Sequence, residues 1–159
     1  MKLRQFVVRA LGVGAVGAAA MTVAAVPAAA APAPVQGWWM YGSAIPAIGE
    51  NAFCTGIVDL GVETDPAVPG HATVTFTSRG MRGAGEEWAR NPSCPITFQV
   101  SSLSGTAPYS HTRFVKLVAG EAPGALVRED IEVGSGLAGL STIALNSLSA
   151  PSTVYFIAP

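Results

Sequence analysis

Arg79, Arg82, Glu86, Glu87, Trp88 and Arg90 crowd into one irregular stretch between Ser78 and Cys94. Guanidinium and carboxylate groups pair with charged partners, and an indole offers a planar apolar face for stacking or for filling a pocket. Long irregular segments of compact domains are where such groups act, so these six residues are the candidate ligand or partner surface. A structural reading competes with it. Glu86 to Arg90 can form one helical turn, with Trp88 closing the open end of a core, because large aromatics usually supply core area. The glycines of the stretch make no phosphate loop, since no Gly-Lys-Ser/Thr ending follows them.

Other reactive pairs are weaker. Ser110-His111 sets a hydroxyl beside an imidazole, yet neighbours in extended chain point to opposite faces and do not readily share a hydrogen bond. Glu86 and Glu87 are adjacent rather than facing across a cleft, which disfavours a glycosidase pair. His71 and His111 begin two strands and would both lie near Asp65 in a simple up-and-down order, but their spacing matches no metal-ligand motif. Glu129 stands in phase with Val127, Ile131 and Val133, as an acid of shifted pKa or an inward charge that protects an edge strand. The expectation is no catalytic residue, no metal and no cofactor.

Trp38, Trp39 and Tyr41 form an aromatic cluster. On a strand, Trp38 and Met40 face one way and Trp39 and Tyr41 the other. The cluster is then either a carbohydrate or envelope contact, or an extra strand that closes the fold.

The elements that must position these groups are short β runs. His71 to Ser78 alternates Ala72, Val74 and Phe76 with Thr73, Thr75 and Thr77, so one face is core and the other is wet. Cys54 to Val62, Ile96 to Val100, Arg113 to Ala119, Ala125 to Val133, Ser141 to Asn146 and Ser152 to Ala158 complete the set, with Gly and Pro between them and no long amphipathic helix. This pattern predicts an all-β fold, an antiparallel β-sandwich of about seven or eight strands with immunoglobulin-like or related topology. A small β-barrel is the alternative. Cys54 and Cys94 are the only cysteines and would meet at one end of the sheet as a disulfide, unlike the immunoglobulin bridge between strand interiors.

Compartment and charge follow from the amino end. Lys2, Arg4 and Arg9 precede the apolar run Ala10 to Val26, and Pro27 with small residues follows, as in a secretory signal cut between Ala30 and Ala31. The run is too short and too rich in Ala and Gly for a spanning helix. Its composition resembles that of exported proteins of high-GC Gram-positive bacteria. The organisation expected is a signal over 1–30, a Pro/Ala linker over 31–36 and one β-sandwich domain over 37–159.

After the cut, six basic residues stand against ten acidic ones, a net charge of −4 with His neutral. No basic face remains for nucleic acid. The functional expectation is a secreted, non-enzymatic domain that binds an unknown protein or carbohydrate at the bacterial cell envelope or outside the cell, with no membrane span after cleavage. A small extracellular hydrolase, using Glu129, His71, His111 or the Glu86/Glu87 region, and a protease inhibitor with its reactive loop in residues 79–95 are the alternatives.

Overall fold

The computed structural model describes residues 30–50, 53–104 and 110–159, so the apolar signal run lies outside the described residues. In chain order the elements are β1 (Ala33–Pro34), β2 (Trp38–Met40), β3 (Ala44–Ile48), β4 (Thr55–Thr64), β5 (His71–Arg82), α1 (Gly85–Arg90), β6 (Cys94–Ser104), β7 (Ser110–Ala119), β8 (Leu126–Glu132), β9 (Gly136–Ala144) and β10 (Ser152–Ala158). They form two antiparallel sheets. In the first the order is β1-β4-β5-β8, with β3 also paired to β4, and in the second it is β2-β10-β9-β6-β7.

The alternation read from the sequence is what folds the sheets against each other. Ala72, Val74 and Phe76 of β5 are buried while the intervening threonines are not, and Ile96, Phe98 and Val100 of β6 meet them from the second sheet. The two sheets remain separate, so the arrangement is a sandwich and not a barrel. All seven expected strands are present, as β4 to β10.

Three further strands complete the sheets, and of these only β2, the extra strand over the Trp38 cluster, is an expectation of the sequence. β3 carries Pro46 at its centre, which argues against an interior strand; it lies along the edge of β4, where Ile45 and Ala47 are buried and a missing N–H is tolerated. β2 pairs with β10 and lengthens the second sheet. β1, inside the segment read as a linker, pairs Ala33 with Thr64 and Pro34 with Glu63.

Cys54, just before β4, and Cys94, at the start of β6, are bonded with Cα atoms 5.9 Å apart. Both are buried, and the bridge ties the two sheets together at one end of the sandwich. Gly49 passes so close that a Cβ there would overlap both sulfurs. The next residue, Glu50, crosses to the second sheet: its N–H donates to the Pro95 carbonyl at 2.9 Å, and its carboxylate accepts from Thr97 Oγ1 and meets Lys116 Nζ at 3.3 Å.

The stretch expected to be a long loop is mostly regular. β5 runs on to Arg82 through a bulge, where Arg79 and Gly80 together face Ile57. Gly80 has φ +98°, a value that suits a residue without Cβ, and a Cβ would also strike the Glu121 carbonyl. Beyond the bulge the end of β5 stays paired with β4, Met81 with Gly56 and Arg82 with Thr55, while Met81 N–H also donates to Gly120 O, just past the end of β7, at 2.9 Å. α1 then fills the remaining span before Cys94.

Candidate binding face

The six residues singled out around α1 do not form one surface. Arg79 points from the outer face of the first sheet and grips Asp59, Nε to Oδ2 at 2.7 Å and Nη2 to Oδ1 at 2.6 Å. That hydrogen-bonded carboxylate holds the guanidinium pKa above its ordinary value. Trp88 turns inward: its ring lies against Gly83, it is buried, and Nε1 donates to Glu121 Oε1 at 3.1 Å. An indole so placed is unavailable for stacking on a ligand. Arg82 lines a shallow depression with Trp88 and Glu121, while Glu86, Glu87 and Arg90 are exposed on α1, with Arg90 Nε donating to the Glu86 carbonyl at 3.3 Å.

The histidines occupy separate places at the end of the sandwich away from the disulfide. His71 Nδ1 is 2.9 Å from Asp130 Oδ2 and lines a cavity of about 270 Å³ with Asp65. His111 lines a different cavity of about 250 Å³ with Ser102, Ser104 and Glu132. Ser102 Oγ donates to the Glu132 carbonyl at 2.9 Å, which directs its proton to the backbone. Among the described residues no group of three or more His, Cys, Asp and Glu is arranged to hold a metal ion. Glu129 is half-buried opposite Val74, and β8, which carries it, is an edge strand of its sheet.

The outer faces of the two sheets differ sharply in charge. Strands of the first sheet carry eight Asp, Glu, Lys and Arg residues, whereas strands of the second carry only Arg113 and Lys116. On the outer face of the second sheet, Lys116 is the one strand charge, and Glu50 partners it. Apolar side chains stand there instead: Trp38 is 67 % exposed, Leu137 59 %, Ile157 70 % and Leu103 52 %. Such concentration exceeds the single scattered hydrophobes that any surface shows.

Register explains how the face is built. Trp38 pairs with Tyr155, Tyr155 with Gly139, and Gly139 with Leu103, giving one row across four strands. The Trp38 and Tyr155 rings are stacked, with centroids 6.2 Å apart and planes 23° from parallel. A Cβ at Gly139 would lie 3.0 Å from Tyr155 Cε1, so the glycine lets the tyrosine ring settle onto the sheet. One residue pair along, Thr153 pairs with Ser141, Ser141 with Ser101, and Ser101 with Thr112. Thr153 Oγ1 donates to Ser141 Oγ at 3.1 Å, and the Ser101 and Thr112 hydroxyls are 3.1 Å apart.

Of this face the sequence pointed only to Trp38. Trp39 packs against the core, and Tyr41 leaves the strand with φ +63°, followed by Gly42 at +72°, where the chain turns toward β3. Tyr155, Ile157, Leu137 and Leu103 join Trp38 only through strand pairing. A signal was present in Ser152 to Ala158, where Tyr155 and Ile157 make the strand apolar on both phases although it lies in an antiparallel sheet.

The fold and this face define a two-sheet β-sandwich with one charge-poor aromatic surface. Comparison of the chain with protein-family models, with curated proteins and with solved structures finds no match. Among the described residues no helix is long and apolar enough to cross a membrane.

Proposed function

We propose that this chain is an exported bacterial binding module without catalytic activity, which attaches to a partner at the cell envelope through the outer face of its second sheet. The observation that carries the reading is the stacked Trp38 and Tyr155 pair on a face almost free of strand charges. Depletion of charge with enrichment in aromatics is the compositional mark of a recognition surface. Support also comes from the dispersal of the reactive side chains: His71, His111 and the Glu86/Glu87 pair occupy different parts of the surface. The segment 79–95, which a protease inhibitor would need as an extended loop, is taken up by the end of β5, by α1 and by the start of β6.

The test is cosedimentation of the purified chain with isolated envelopes of a high-GC Gram-positive bacterium. Trp38→Ala is expected to lower the bound fraction about tenfold, and Arg128→Ala, on the first sheet, to leave it unchanged. Equal binding by Trp38→Ala and the parent, or no binding by either, overturns the reading.

A small hydrolase is the second reading, on one observation: Ser104, His111 and Glu132 line the same cavity. Ester or glycoside turnover abolished by His111→Ala but not by Trp38→Ala would establish it.

A further inference from the structure

Resting on the binding role just proposed, we infer that the occupant of this face is a neutral polysaccharide, laid along the two parallel rows that cross the second sheet. One row is apolar and aromatic, Trp38, Tyr155 and Leu103. The other is made of hydroxyls, Thr153, Ser141, Ser101 and Thr112, one from each of four adjacent strands. A sugar chain has the matching duality, with C–H faces that stack on aromatic rings and hydroxyl edges that exchange hydrogen bonds.

The spacing agrees with that occupant. Adjacent strands are roughly 4.8 Å apart, so the hydroxyls recur at about that interval, close to the length of one pyranose unit. Each hydroxyl carries one donor and two acceptor positions, so the bonds within the row leave capacity for a ligand. The shared proton of Thr153 on Ser141 leaves the proton of Ser141 free to point outward, and Gln99 adds a donor beside Ser101 at 3.5 Å.

Charge decides against other occupants. Lys116, the one strand charge on the face, is neutralised by Glu50, which removes the handle an anionic ligand would require. A lipid surface would press apolar groups onto the hydroxyl row and leave it poorly satisfied. A neutral glycan satisfies both rows together.

The experiment is affinity electrophoresis of the purified chain in native gels containing amylose, hydroxyethyl cellulose, α-mannan or arabinogalactan, with heparin as the charged control. At least one neutral polymer is expected to retard the parent, with heparin giving no retardation and with molar salt changing the affinity by less than about twofold. Trp38→Ala should weaken binding about tenfold, and Thr153→Val, which keeps the shape and removes the hydroxyl, about fivefold. Retardation by none of the four neutral polymers, retardation by heparin alone, or equal binding by Thr153→Val each overturns the inference. So does a dimer in sedimentation equilibrium that Trp38→Ala dissociates, which would assign the face to a second copy.

Failure here is separable from failure of the binding role. Envelope binding that depends on Trp38 but survives periodate oxidation of the envelope sugars rejects the glycan and keeps the role. Envelope binding indifferent to Trp38 rejects both.

Discussion

The ring of Phe76 in β5 lies over the ring of Phe98 in β6, with centroids 4.3 Å apart and planes 18° from parallel. Neither residue has exposed surface, so the pair is the central contact between the two sheets. Truncating either ring to Ala should cost about 3–5 kcal/mol, because a cavity remains where the ring was. A double-mutant cycle with Leu at both positions should return a coupling of about 1 kcal/mol beyond the lost area, read from urea midpoints. Strict additivity would show that the stacked geometry contributes nothing of its own.

The disulfide closes a loop between positions 40 apart in sequence and ties the two sheets together at one end of the sandwich. The chain-entropy model gives about 4 kcal/mol for such a loop, a large part of a small domain's stability. The Cys54→Ala/Cys94→Ala protein is expected to unfold at a correspondingly lower denaturant concentration. Gly49→Ala should destabilise the bonded protein by about 1–3 kcal/mol through overpacking against the sulfurs, and by less once the cysteines are alanines.

Trp88 is a plug anchored by Glu121. Trp88→Ala is expected to lose about 3–5 kcal/mol of stability. Trp88→Phe should lose less, retaining most of the area but leaving the Glu121 carboxylate without its indole donor. Envelope or glycan binding per folded molecule should be unchanged in both. A binding defect in folded Trp88→Phe would return the α1 region to the recognition surface.

Glu50 gives the protein an acid-sensitive clasp on the second sheet. The Thr97 hydroxyl, and then Lys116, hold its carboxyl below the ordinary value of 4.5. A depressed folded-state pKa contributes stability that is present above the unfolded value and is lost as pH falls through the folded one. Glu50→Gln should therefore be less stable than the parent at neutral pH, and the gap should close below the ordinary carboxylate range. Urea midpoints for both proteins at neutral pH and near pH 3 measure it. A gap that is constant with pH would remove the charged clasp from the account.

Much of the fold was legible because burial in a two-sheet protein imposes a period of two. The alternation from His71 to Ser78 or from Ile96 to Val100 survives in one dimension, and every strand so marked is present. β3 was hidden by Pro46, whose effect depends on whether a strand lies at an edge, and that is a property of the assembled sheet. β5 extends beyond Ser78 because Gly80 can take positive φ and make the bulge; in the sequence the same glycine reads as the start of a loop.

The candidate site was legible only in Trp38. Its partner Tyr155 is 117 positions away in the chain, and the glycine beneath that ring, Gly139, belongs to yet another strand. The hydroxyl row likewise draws one residue from each of four strands. By itself the sequence determined the all-β class, the approximate strand positions and the Cys54–Cys94 pair, because these follow from local periodicity and from having two cysteines. Tertiary structure alone decided which face is charge-poor, that Trp88 faces inward, and which aromatics and hydroxyls stand side by side. Strand order and register set those neighbours, and both depend on contacts between residues far apart in the chain.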